Sequence, residues 1–381
     1  MALLSRRKTI LAKIEGTYGV DSIPTGSADA MLVKNLEVQP LNAELVQRDL
    51  VRDFLGNSDT LVASRFATAN FEVELVGSGT LGRLPGWDVL LRACGYGAAT
   101  TTTQAITSIN RSGATATVVT PAAHNLQTGD RITISGATQT EYNGEFQVTV
   151  TNATTFTYAV TGTPVSPATG TPVINTSRVY NPVSINFPSI TLYYNVDGLL
   201  HRLTGCRGSF EINVETTQIP VLRFSFTGLY NAPSDTASPS TNFANFQIPQ
   251  VANTANTPSF SLFGFQGFMQ SMTLNLTNEV NYRTLIGLEE VTLVDRRPAG
   301  TFVFEAPTVA QRDYWTSANT GTTGAMSLLH GSRNGFRVRL DAPRVSIGNP
   351  TYQSDNGVEL LSIPFTAAPS VGNDDLTITV L

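Results

Sequence analysis

The chain has 381 residues, a formal net charge of −5, and charged residues at only 14%, against the roughly 25% of an ordinary soluble domain. That length allows one large domain or two moderate ones, and the acidic balance argues against a protein that grips nucleic acid through its phosphates. Thr, Asn and Ser replace the missing charges, which suits β-structure and surfaces that neighbours later cover, where a buried charge is costly.

The chain opens MALLSRRKTILAKIEG. Its apolar stretches are too short and too interrupted for a secretion signal, and no run reaches the ~18 apolar residues of a membrane helix. The expected site of synthesis and assembly is therefore a cytoplasm, with Cys94 and Cys206 as reduced thiols. Leu32 to Pro40 alternates as a strand does. Phe71 to Val76 alternates more cleanly, with Phe71, Val73 and Leu75 on one face and Glu72 and Glu74 on the other. Gly77-Ser78-Gly79-Thr80-Leu81-Gly82 fits G-x-G-x-x-G after a strand and before a helix. Its last glycine falls short of the helix, however, and no acidic residue follows at the distance a dinucleotide site needs. A strand-to-helix turn is the expectation.

A helix is expected over Leu84 to Gly95. Pro85 suits the first position, Asp88 the first turn and Gly95 the end, while Trp87, Leu90, Leu91 and Cys94 share one packing face. Composition then shifts at the tract Ala98 to Gln104 and again near Thr171 to Pro182. The short strands and turns between these points, at Ser112-Gly113, Thr128-Gly129-Asp130, Asn143-Gly144 and Asn152-Ala153, suggest a small β-sandwich over 104–175 inserted into a larger domain. A hairpin turning at Asp197-Gly198 is expected over Ile190 to Cys206, and two strands from Ser209 to Tyr230 around Gln218-Ile219-Pro220. Asn231 to Pro258 has no period and reads as a long loop. Strands resume from Phe268 to Phe304, a weaker helix is expected over Thr308 to Ser317, and the chain ends in strands such as GVELLSIPFTA and DDLTITVL. The fold class is mainly β and antiparallel.

Catalytic chemistry has no constellation to stand on. His124, His201 and His330 lie in no metal-ligand spacing. His124 is expected to help a turn, and His201 to sit at the surface. No G-x-S-x-G elbow is present. Glu289-Glu290 and Asp374-Asp375 are adjacent, and neighbours on a strand point to opposite faces. Cys94 reads as core. No enzyme, cofactor or metal is expected.

Glu15, Tyr18, Gly19, Asp21 and Pro24 form an E-x-x-Y-G-x-D-x-x-P pattern before the first strand, followed by GSGTLGRLPGWDVLLRACG and the final GVELLSIPFTAAPSVGNDDLTITV. In this combination the chain resembles bacteriophage major tail tube proteins of long-tailed phages, over 1–103 and 176–381. The resemblance implies a tail-tube β-sandwich or barrel with one flanking helix, six copies to a ring and rings stacked into a conduit for DNA ejection. It implies an inter-ring arm at 1–24 carrying those five residues, a loop at 231–258 that orders on assembly, and an outward-facing β-domain at 104–175. The implied partners are further copies of the chain, a tape measure protein inside the tube, a tail terminator, distal tail or baseplate proteins, and double-stranded DNA that passes without specific binding. The implied location is the virion tail, assembled in the host cytoplasm, with a non-contractile tail favoured by a decorated exterior. The competing reading is a surface-attachment or carbohydrate-binding virion protein acting through 104–175, whose aromatics are Tyr142, Phe146, Phe156 and Tyr158.

Overall fold

The computed structural model describes residues 3–381. It is mainly antiparallel β-sheet, with two short helices among the described residues. Strand β1 (Lys8–Ile14) is paired in the sheet, flanked by β2 (Ala30–Met31). Strands β3 (Lys34–Gln47) and β4 (Thr60–Glu74) make a long hairpin. It continues well past the strand expected at Leu32 to Pro40, because Asn42 and Ala43 resume the ladder after a bulge at Pro40 and Leu41.

The helix α1 (Asp88–Arg92) is shorter than the one expected over Leu84 to Gly95. Pro85 and Gly86 form only a turn, and Gly95 adopts φ +86, so the chain leaves the helix at Ala93. The packing face is as read: Trp87, Leu90, Leu91 and Cys94 are all fully buried in the main core. The Trp87 indole N–H donates to the Val76 carbonyl at 2.9 Å. Asp88, at the first turn, accepts from the Tyr180 hydroxyl at 2.8 Å, and burial pushes its carboxyl above the usual range.

Strand β5 (Thr100–Ala105) leads into β6 (Ser108–Ser112), β7 (Thr115–Val119), β8 (Arg131–Ala137), β9 (Gly144–Asn152) and β10 (Thr155–Ala159). Strand β11 (Gly170–Tyr180) returns along both β5 and β8. These strands enclose a core separate from the main one: Ile109, Val118, Ile132, Tyr142, Val148, Phe156 and Tyr158, with Leu81 contributed from outside. Several bonds tie this unit to the rest. Leu81 exchanges backbone hydrogen bonds with Arg131 and Thr133, and the buried Asp130 accepts from the Asn334 amide at 2.9 Å.

Strands β12 (Ile190–Val196) and β13 (Leu199–Glu215) turn at Asp197-Gly198, both at positive φ, as a two-residue hairpin requires. Strand β14 (Val221–Tyr230) follows. The segment Asn231 to Pro258 is irregular apart from β15 (Ser234–Asp235). After β16 (Ser259–Leu262) and β17 (Phe265–Gln266) come β18 (Met269–Asn275), the separate hairpin β19 (Asn278–Leu285) with β20 (Leu288–Arg296), and β21 (Ala299–Glu305). The second helix, α2 (Tyr314–Thr320), starts later than the expected Thr308. Asp313 is its cap, accepting from the Thr316 N–H, and Gly321 ends it in the left-handed region. Strands β22 (Thr323–His330), β23 (Val338–Ile347), β24 (Thr351–Asp355), β25 (Val358–Ala368) and β26 (Thr377–Val380) complete the chain. Among the described residues no helix is long and apolar enough to cross a membrane.

The principal sheet runs β3–β4–β14–β13–β18–β21–β25, and its inner face builds the main core. One row crosses it as Val73, Leu222, Ile212, Leu274, Gly300 and Phe365, with Phe71, Phe224 and Phe210 in the next. Gly300 is small for a reason. A Cβ there would meet the Phe365 ring at 2.9 Å, and that ring stacks on Phe302 with centroids 4.1 Å apart.

At one end of β22, the His330 imidazole faces the Thr257 hydroxyl at 3.1 Å, and the Gly331 N–H donates to the Asn256 carbonyl. Burial lowers the His330 pKa to about 4 from the ordinary 6.5. The unfolded chain therefore binds more protons than the folded one between these values. Stability is full above pH 6.5 and falls as pH drops toward 4, by at most about 3 kcal/mol from this group. Urea unfolding of the wild type and of His330→Gln between pH 7 and 4 tests this: the variant is expected to have the shallower pH slope.

Candidate assembly surfaces

The five residues of the N-terminal pattern converge inside the chain. Strand β13 carries a bulge where its pairing with β12 and β14 shifts register, at Gly205 and Cys206. Gly205 has φ +59, and its N–H donates to the Glu15 carboxylate at 2.7 Å. Thr191 Oγ1, Ser189 Oγ and the Gly19 N–H supply the other donors, at 2.9, 2.6 and 2.8 Å. Glu15 is thus a buried carboxylate with its lone pairs taken up by hydrogen bonds, which is the condition for burying such a group.

The Tyr18 ring lies against Gly205, where a Cβ would come within 2.9 Å of it. The Arg207 guanidinium sits 4.7 Å from the Tyr18 centroid and 4.9 Å from that of Phe187, and donates to the Val291 carbonyl. The Val291 N–H in turn donates to the Tyr18 oxygen. Burial pushes the Tyr18 phenol up and the Arg207 guanidinium down. Asp21 accepts from the Tyr193 hydroxyl at 2.6 Å, and Pro24 is buried. In the single chain, residues 8–24 do not reach away from the fold. Strand β1 pairs along β12, and Glu15 to Pro24 lock onto the β13 bulge. Deleting them would strip β12 of one of its two partners and leave the bulge unsatisfied.

The outer face of the principal sheet is mostly polar, and it is open except at the end that the β19–β20 hairpin covers, where the Asn278 N–H donates to Ser209 Oγ and Tyr282 packs on Phe66. Glu72, Arg223, Glu211, Asn275, Ala299 and Thr366 form one cross-strand row, and Glu74, Val221, Asn213, Thr273, Thr301 and Pro364 form the next. Asn70, Ser225 and Ser209 lie on the other side of the first row. Lys34 and Glu37 extend the face onto β3, and Glu215 lies at the end of β13. Carboxylates outnumber cations here: Glu37, Glu72, Glu74, Glu211 and Glu215 against Lys34 and Arg223. The alternation at Phe71 to Val76 was legible in the sequence, but the width of the surface was not.

Apolar side chains reach solvent elsewhere. The far half of the β3–β4 hairpin presents Leu45, Val46, Leu61 and Val62, and its connecting loop presents Val51, Phe54 and Leu55, with Val51 and Leu55 fully exposed. The β19–β20 hairpin ends in Leu285, Ile286 and Leu288, and Ile286 is fully exposed. Contiguous exposed apolar side chains of this kind mark contact surfaces. Composition had hinted at such surfaces without locating them.

The chemically suggestive motifs have structural positions. In the glycine turn, Ser78 and Thr80 are buried, and the Gly79 N–H donates to the Gly335 carbonyl. A Cβ on Gly77 would lie 2.1 Å from that same oxygen, so the glycines serve close backbone packing. His124 Nδ1 accepts from the Leu126 N–H and closes a turn. His201 lies half-buried beside Tyr194. Among the described residues, no group of three or more His, Cys, Asp or Glu side chains is gathered as a metal site would need. Tyr142, Phe156 and Tyr158 are core, and Phe146 stacks on Tyr158 at 4.1 Å, so the aromatics that a sugar-binding surface on 104–175 would use are engaged in packing.

A family model described as phage tail tube protein matches residues 128–367. That is well over half of the chain, and the chain belongs to this family. The match runs from β8 to β25 and so takes in the principal sheet except β3 and β4, while residues 1–127 and 368–381 lie outside it. No curated protein matches the sequence. Family membership makes this chain a structural protein of the virion tail.

Replacing Glu15 by Ala would leave the Gly205 and Gly19 amides and two hydroxyls without their acceptor. The expected cost is about 3 kcal/mol or more, since each orphaned buried donor costs roughly 1–3. Glu15→Gln keeps an acceptor and should cost less. Urea denaturation of the two variants checks the order.

Proposed function

We propose that six copies of the chain close into a ring, that rings stack into the tail tube, and that the polar outer face of the principal sheet lines the channel through which DNA leaves. The observation that carries this reading is that open, net-acidic face. A broad sheet surface of small polar residues and carboxylates, with its opposite side fully committed to core, offers phosphates little to hold. The size is compatible. If each copy lends four strands at about 4.8 Å spacing, six copies make a barrel roughly 37 Å across the backbone before strand tilt widens it. That admits a nucleic-acid duplex.

Ring closure also answers the edge problem. Among the described residues, strand β3 pairs only with β4, and β24 only with β25. Open edges are a liability in a monomer and are satisfied when copies meet around a symmetric ring. We assign the reach between rings to the β3–β4 hairpin, whose apolar side chains stand exposed, and give residues 15–24 an anchoring part. The loop at 231–258 borders the N-terminal segment, with the Asn242 N–H donating to the Gly26 carbonyl, and meets neighbouring copies through its exposed side chains. The unit built on 104–175, with its own core, is placed outward as a decorating domain, since a channel has no room for six of them. On this reading the protein is not an enzyme. Its further partners are a tape measure protein within the tube and terminator and distal tail proteins at its ends, in a tail assembled in the host cytoplasm.

Negative-stain electron microscopy and sedimentation of the purified chain test the assembly. Hollow tubes with six-fold end views are expected. Replacing Val51, Phe54 and Leu55 together by Ser should leave melting almost unchanged, because all three are exposed, and should suppress stacking. A wild-type chain that stays monomeric at high concentration would contradict the proposal.

A further inference from the structure

The channel-facing reading leaves one awkward group, an arginine in the middle of the face. Arg223 stands on β14 between Glu72 on β4 and Glu211 on β13, directly opposite both in the ladder. Its Nε donates to Glu72 Oε1 at 2.9 Å and its Nη1 to Glu211 Oε1 at 3.2 Å. The other cation of the face, Lys34, is paired with Glu74. Glu37 and Glu215, by contrast, have no ion pair among the described residues.

We propose that Glu72 and Glu211 act as a mask on Arg223, turning a cation that would grip a passing phosphate into part of a ladder with a net charge of −1 (two carboxylates against one guanidinium). This rests on the channel assignment above and adds the residues that set non-adhesion. A free guanidinium is the strongest phosphate ligand a side chain offers, because its planar fork meets two oxygens at once. Here the fork is directed along the sheet to carboxylates on both flanking strands, and in a six-fold ring the same arrangement would repeat around the channel. The hydrogen bond that Arg223 donates to Glu72 also raises the Arg223 pKa, so the group keeps its charge and depends on its partners to hide it.

The test uses the full-length chain, a short fluorescent DNA duplex and anisotropy at low salt. Four variants are compared with the wild type: Glu72→Gln/Glu211→Gln; the same pair with Arg223→Gln; Glu37→Gln/Glu215→Gln, which changes net charge equally; and Glu72→Gln alone. The first is expected to bind the duplex, with an affinity that falls as salt rises, about one more unit of log–log slope for each arginine engaged. The triple variant, the control pair and the single variant, in which Glu211 still holds Arg223, should stay near the wild type. Equal binding by the two double variants, or binding that persists without Arg223, would overturn the mask. These side chains are exposed or partly exposed and add little to stability; circular dichroism melts verify that all variants fold. Electron microscopy of the same samples separates the two claims. Absence of tubes would count against the channel, while anisotropy still reads the mask on the free face.

Discussion

The carboxylate of Glu15 holds the bulge on which the sheet is built. Strand β13 is the longest in the fold and pairs with β12, β14, β15 and β18 along its length. A strand can change partners in this way only by breaking its ladder. The break at Gly205 costs a backbone hydrogen bond that must be replaced. Glu15 replaces it, Tyr18 covers the glycine, and Arg207 bridges from the next turn of β13 to the β19–β20 hairpin. The first strand, the central strand and an outlying hairpin are thereby fixed at one point.

Beyond the bulge, alternation decides everything. Each residue of β4, β14, β13, β18, β21 and β25 is either core or outer face, and one face takes nearly all the aromatics. Apolar area buried on one side alone can hold a sheet together, which frees the other side to meet a chemical requirement unrelated to stability. In this chain that side is small, hydroxylated and weakly acidic. The apolar contacts needed for assembly are moved to hairpin ends, away from it. Segregating sticky from non-sticky surface in this way is what a self-assembling conduit needs.

Local patterns made much of this legible in the sequence. The Phe71 to Val76 alternation, the Asp197-Gly198 turn, the buried face of Trp87, Leu90, Leu91 and Cys94, and the mainly β class all follow from period and turn chemistry. The rest depended on distant partners. The length of α1 is set by where Gly95 must turn. A turn at Thr308 to Arg312 precedes α2, which starts only after its cap Asp313. Glu15 reads as part of an N-terminal pattern, but its role is set by Gly205, which lies 190 residues away and is recognisable only once register is known. The mask on Arg223 is likewise invisible in sequence, because its partners come from two other strands.

The central claim is that the outer face of the principal sheet lies inside the assembled tube. Ser225 sits in the middle of that face, and the two native cysteines are buried and give no labelling background. Thiol labelling of Ser225→Cys in tubes and in free chain measures the placement directly, with the exposed position Asn110→Cys, on the unit proposed to face outward, as reference. The account predicts that a bulky polymer-linked maleimide modifies position 225 in the free chain but not in tubes, while position 110 reacts in both. Equal modification of position 225 in tubes and free chain would contradict it.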